Sequence, residues 1–178
     1  MSSFQPQMLA ALCVACSRTR GSVARGSALE DLVEYLFTCV PSVQLYERDV
    51  KDDSGAQEID LVFSHYQSIS LLPMPDVTAI VECKNERRKT SSDQVRSFGS
   101  KLRSRSLSVG ILVTASGLSG SKRTHAHSSI RDELGLGVSI IVATLEDLCK
   151  ITSMPDDFSR LLTERINELR THRTYLSI

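Results

Sequence analysis

Hydrophobic positions alternate between two periods along this chain. Leu29, Leu32, Val33, Leu36 and Phe37 recur at i, i+3, i+4, i+7 and i+8, one buried stripe of a helix that Pro41 ends. Ser27-Ala28-Leu29-Glu30 has the order of a capping box and is expected to open that helix. Before it, Gly21 to Gly26 reads as a Gly/Ser/Arg linker, and Met8 to Cys16 as the apolar side of an earlier helix. Period two then takes over. Val43–Val50, Glu58–Ser64 and Thr78–Lys84 read as three strands, with a turn at Asp52–Gly55 and a proline-containing loop at Leu71–Asp76. Val95, Phe98 and Leu102 mark a helix from about Ser91 to Ser104. Ser106–Thr114 and Gly137–Ala143 hold continuous apolar runs, as fully buried strands do. Lys122–Leu134, Leu145–Ile151 and Asp156–Arg170 read as helices. The order is α-β-β-β-α-β within an α/β fold.

Two apolar strands end in charge. Glu58-Ile59-Asp60-Leu61-Val62-Phe63 starts with acids, and Ile80-Val81-Glu82-Cys83-Lys84 finishes with an acid and an ammonium. Ionised groups are costly inside a sheet unless paired or bound to metal. If the two strands pair as a hairpin about Leu71–Pro73, facing positions sum to about 142, and Asp60 falls opposite Glu82. Facing residues lie ~5 Å apart at Cβ. Glu82 and Lys84, two apart, share a face. Two carboxylates at that distance repel unless a cation lies between them, and hard oxygen ligands suit magnesium. On this reasoning removal of Glu82 should leave stability unchanged or raised.

Charge narrows the partner. The formal net charge is zero, but ten basic and two acidic residues lie between Lys84 and Arg123, a local balance of plus eight. Such asymmetry suits a polyanion. Arg96 and Arg103, seven apart, are expected to project outward from their helix beside Arg87, Arg88, Lys89 and Arg105, as a ridge for phosphates. His125 and His127 do not share a helix face and read as surface or phosphate-contacting groups, not metal ligands.

The five cysteines form no framework. Cys13-x-x-Cys16 lacks a second pair and reads as core packing. An odd cysteine count without an export signal suggests a reducing, cytoplasmic setting. No apolar run reaches the length of a membrane span. No G-x-G-x-x-G follows a strand, which argues against a Rossmann-type cofactor domain.

Taken in order, Glu30, Glu58-Ile59-Asp60-Leu61, Val81-Glu82-Cys83-Lys84 and Gln94 resemble the PD-(D/E)XK nuclease superfamily, and within it the Mrr-type restriction endonucleases. Gly110–Ala115 and Val138–Ile141 fit the later strands, and no proline precedes Asp60 where the superfamily often has one. The resemblance implies a restriction-endonuclease-like core, a mixed central sheet flanked by helices, over residues 26–151. Residues 1–25 would supply an N-terminal helix and linker, and 152–178 a C-terminal helix packed on the same domain. It further implies a magnesium-dependent endonuclease on DNA, with manganese as a substitute. Asp60 and Glu82 would bind the metal, helped by the Cys83 carbonyl. Lys84 would position or deprotonate water, Glu30 would reach the metal through water, and Gln94 would brace the site. One active site cuts one strand, so a homodimer is expected. The alternative is a catalytically silent nucleic-acid-binding or scaffold module on the same fold.

Overall fold

The computed structural model describes residues 3–51, 55, 57–66, 71–121 and 124–175. Residues 52–54 of the turn expected at Asp52–Gly55, and the basic residues Lys122 and Arg123, lie outside them. Helices α1 (Pro6–Arg18) and α2 (Ser22–Thr38) precede strands β1 (Val43–Lys51), β2 (Glu58–His65) and β3 (Thr78–Lys84). Then come α3 (Ser92–Ser104), β4 (Val109–Thr114), α4 (His125–Gly135), β5 (Ser139–Thr144), α5 (Leu145–Cys149) and α6 (Asp156–His172).

The strands form one five-stranded sheet in sequential order. β1, β2 and β3 pair antiparallel, and β3, β4 and β5 pair parallel. The mixed sheet follows from the connections: among the described residues no helix separates the first three strands, whereas helices α3 and α4 carry the crossovers to β4 and β5. β4 is buried along its whole length, which explains its unbroken Val-Gly-Ile-Leu-Val run. Leu9, Cys16, the α2 stripe, Leu148, Phe158 and Leu162 cover one face. Val95, Phe98 and Leu102 of α3 and Ala126 and Ile130 of α4 cover the other. At the β5 edge, the buried Tyr175 hydroxyl donates to the Ile140 carbonyl at 2.6 Å and accepts from the Val142 N–H at 3.1 Å, so a side chain completes the open strand.

Four expectations are corrected. Gly21–Gly26 is no linker: only Thr19–Gly21 separates the first two helices, with Gly21 at φ 94°, and α2 starts at Ser22. Packing of α2 against α1 outweighs the ~1 kcal/mol that Gly26 costs inside a helix. Ser27 and Glu30 therefore lie in the interior of α2, and form no cap. The capping box of this region belongs to α3, where Ser91 Oγ accepts from Gln94 N–H and Gln94 Oε1 accepts from Ser91 N–H at 2.8 Å. Cys13 is not plain core packing either. It forms a disulfide with Cys149 of α5, and Cys16, Cys39 and Cys83 are buried free thiols. That bridge removes the odd-cysteine argument for a reducing compartment. Finally, His127 is buried on α4, whereas His125 is exposed. No helix among the described residues is long and apolar enough to cross a membrane.

Candidate active site

The β2–β3 hairpin has the register that the apolar pattern predicts: Leu61 pairs with Val81 and Val62 with Ile80, sums of 142. Pairing stops there, one position short of Asp60 and Glu82. The reason is a slip in β2. Ile59 and Val62 both face α3 and α4, a spacing that strict alternation forbids, while Leu61 and Phe63 face α2. The register of β1 against β2 shifts earlier, between Leu45 and Glu47; opposite Asp60 the register holds, but Asp49 takes a φ of 52° between the pairs Arg48–Leu61 and Val50–Ile59. The coiled hairpin turns the Asp60 side chain toward β3. There Asp60 Oδ2 accepts the Cys83 N–H at 2.6 Å, in place of a further ladder bond.

Glu82 and Lys84 share the α3 face of β3. Lys84 Nζ lies 2.8 Å from Glu82 Oε1. A second ammonium, Lys101 of α3, donates to Glu82 Oε1 at 3.0 Å and Oε2 at 2.8 Å. The Glu82 side chain is only 6% exposed and that of Lys101 10%, so the pair is dry. Asp60, Glu82, Lys84 and Lys101 thus form one quartet whose formal charges cancel.

The electrostatics of the quartet follow from burial and crowding. Burial first and the Glu82 charge second raise the Asp60 carboxyl to about 6, against the pull of Lys84, the Cys83 N–H and Lys101. Burial alone would lower the Lys84 ammonium, but Glu82 and Asp60 outweigh it and hold its affinity for the proton above the ordinary lysine value. Lys84 is therefore a cation at neutral pH. The buried Cys83 thiol is raised well above the ordinary value, first by burial and then by Asp60, Glu30 and Glu82. It is inert as a nucleophile, and what it offers the site is its main chain.

The remaining predicted residues separate from this quartet. Glu30 faces the Cys83 side of the sheet, but its Oε2 is held by Arg48 of β1 at 3.1 Å. Arg48 also binds Asp31 and Glu34, at 2.9 and 3.1 Å. Gln94 caps α3 and donates its amide to Glu86 Oε1 at 2.8 Å, so its side chain is spent at the helix N-terminus. Arg96 and Arg103 are exposed on α3, and each reaches a partner on α4. Arg96 Nη1 donates to Ser129 Oγ at 2.9 Å, and Arg103 pairs with the buried Glu133 carboxylate. For Arg103 the cause is Glu133: a carboxylate buried between two helices takes the nearest cation. Arg105 bonds Gln57 Oε1 and the Lys101 carbonyl, at 3.0 and 3.1 Å. Arg87, Arg88 and Lys89 remain exposed just beyond β3.

Lys101 is the residue that sequence reasoning passes over. A signal exists: it lies three residues after Phe98, on the side of α3 that must face the sheet. A lysine there needs a buried acid.

Asp60 and Glu82 are the residues of the quartet that could hold a hard divalent cation. They are hard carboxylates close enough to raise proton affinity, and a divalent cation relieves that crowding as a proton does. No group of three or more His, Cys, Asp or Glu side chains among the described residues is arranged as a ligand set, so the fit rests on this pair and the Cys83 carbonyl.

A family model described as a restriction endonuclease, the Mrr catalytic domain, matches residues 22–149. No curated protein matches the chain.

Proposed function

The chain belongs to the Mrr-type restriction endonuclease family, and from that premise we propose that it is a magnesium-dependent endonuclease hydrolysing DNA phosphodiester bonds. The observation that carries the reading is the convergence of Asp60, Glu82 and Lys84 at the diverging ends of β2 and β3, inside the matched stretch.

Asp60 and Glu82 would hold the metal together with the Cys83 carbonyl. Bound there, magnesium supplies a Lewis acid and lowers the pKa of a coordinated water. The rest falls to the chain. Held as a cation by Glu82 and Asp60, Lys84 would position the attacking water. It would also offset negative charge as it builds on the phosphate oxygens. Lys101 fixes the orientation of the Glu82 carboxylate through both oxygens. Asp60 is held by the Cys83 N–H and is ionised in most molecules above neutral pH. Both strands of a duplex would be cut by two copies of the chain.

One observation favours the silent-module reading. Both Glu82 oxygens are already bonded to lysines, so a metal must displace or share with Lys84 or Lys101. Supercoiled plasmid incubated with the purified protein decides between them. Nicking or linearisation with magnesium, absent with EDTA and absent in Lys84→Ala, is the expected result. Wild type and Lys84→Ala equally inert on all DNA substrates, with magnesium or manganese, gives the silent module.

A further inference from the structure

Beyond the quartet, β3 continues through Asn85 into a polar cleft of about 340 Å³. Its walls are the α1–α2 joint, the segment after β3 and the end of β4. Four arginines line it: Arg18 and Arg20 from the joint, Arg25 from the first turn of α2, and Arg87 three residues after Lys84. None of the four forms an ion pair among the described residues. Glu86 is the one acid in the lining, and it already accepts from the Gln94 amide. Arg25 Nε is buried with no hydrogen-bond partner among the described residues, a donor that calls for an acceptor.

The backbone that carries these arginines is anchored. Asn85 donates to the Arg25 carbonyl at 2.7 Å and the Cys16 carbonyl at 3.3 Å, which fastens the joint to the end of the catalytic strand. Cys16 Sγ bonds the Ala28 carbonyl, and the Cys13–Cys149 bridge ties α1 to α5. Arg18 and Arg20 lie outside the stretch that matches the family. The N-terminal helix therefore adds two cations to a place where the shared core supplies two. Four guanidinium groups lining one cleft against a single carboxylate favour an anion, and their planar forks suit phosphate oxygens.

We propose that this cleft is a second phosphate site, built jointly by the α1–α2 joint and the nuclease core, which holds a backbone phosphate of the DNA strand next to the phosphate at Lys84. The proposal rests on the nuclease reading for the identity of the anion.

The test is binding of a fluorescent DNA duplex across a salt series, in EDTA so that nothing is cut, with plasmid cleavage in magnesium run alongside. Arg18→Gln/Arg20→Gln is expected to weaken binding about tenfold or more near 0.1 M salt and to flatten the log–log slope by about 1.8, from two contacts at ~0.9 each. Arg18→Lys/Arg20→Lys should restore most of the slope. Arg170→Gln, an exposed charge on α6, should leave both unchanged. Both joint arginines are exposed, and if the double variant nevertheless unfolds, Arg20→Gln alone, with about half the slope change, decides. Unchanged affinity and slope in Arg18→Gln/Arg20→Gln overturn the cleft, while cleavage by wild type keeps the nuclease reading. Loss of binding in the variant supports the cleft even where wild type does not cut. A wild type that neither binds nor cuts DNA overturns both.

Discussion

Lys101 on α3 donates to both carboxylate oxygens of Glu82 on β3, at 3.0 and 2.8 Å, in a setting almost closed to water. This relationship reverses the stability expected of Glu82 substitutions. Considered with Asp60 alone, Glu82 is a source of repulsion whose removal should be neutral or stabilising. In the fold it is the counter-ion of a buried lysine. Glu82→Ala should therefore destabilise the protein, by roughly 3 kcal/mol, because it strands the Lys101 ammonium. Lys101→Met should cost less, about 1–2 kcal/mol, since Lys84 still neutralises Glu82. Urea denaturation of both variants and of the double variant checks this. A coupling below ~0.5 kcal/mol would mean that the pair is not an interacting unit.

Asp60 gives a pH dependence. Its carboxyl rises from an ordinary 3.8 to about 6, mostly through burial and then through Glu82. A carboxyl with a higher pKa in the folded chain binds its proton more tightly there. The stability this provides is complete below pH ~4 and is lost as pH rises through about 6, a loss on the order of 2–3 kcal/mol. Asp60→Asn keeps an acceptor for the Cys83 N–H and never ionises. It should melt higher than wild type at pH 8 without metal, and the gap should close at pH 4. Thermal melts across that range read the effect directly, and a constant difference at all pH values would refute the assignment.

Magnesium should act on the same residue with the opposite sense. A ligand that binds only the folded state stabilises it by ~2.7 kcal/mol at a hundred times its dissociation constant. Wild type at pH 8 should thus gain melting temperature with magnesium, while Asp60→Asn should not. Equal responses in the two proteins would place the ion elsewhere.

Much of this site is legible in the chain because strand alternation is strict where apolar residues are dense. The 142 register of Leu61–Val81 follows from two apolar runs and a proline-marked loop, and it alone brings Asp60 toward Glu82. What escapes is set by partners distant in sequence. The break in alternation at Asp60 lies opposite Asp49, whose φ is 52°, a backbone feature that alternation does not encode. Lys101 looks like any helix lysine until β3 is laid beneath it. Arg96 and Arg103 flank the Val95–Phe98–Leu102 stripe, and α4 docks beside that stripe, bringing Ser129 to Arg96 and Glu133 to Arg103. Room for that approach is written at Gly99, where a Cβ would collide with the Glu133 carboxylate.

The last prediction concerns the Cys13–Cys149 bridge, which spans 136 positions and joins α1 to α5. Closing so long a loop restricts the unfolded chain, and bridges of this kind contribute about 2–4 kcal/mol. In denaturant without reductant, three thiols should titrate, those of Cys16, Cys39 and Cys83; with reductant, all five should. Reduction should lower the melting temperature of wild type and leave Cys13→Ser/Cys149→Ser unaffected. Because the bridge anchors the helix that ends at Arg18, the same double variant should also weaken DNA binding, though less than Arg18→Gln/Arg20→Gln, since Asn85 still holds the joint through the Cys16 and Arg25 carbonyls. Five titrating thiols without reductant would show that the two cysteines are merely adjacent, and α1 would then depend on Asn85, Cys16 and the Tyr35 hydroxyl, which bonds the Gln5 backbone, for its attachment.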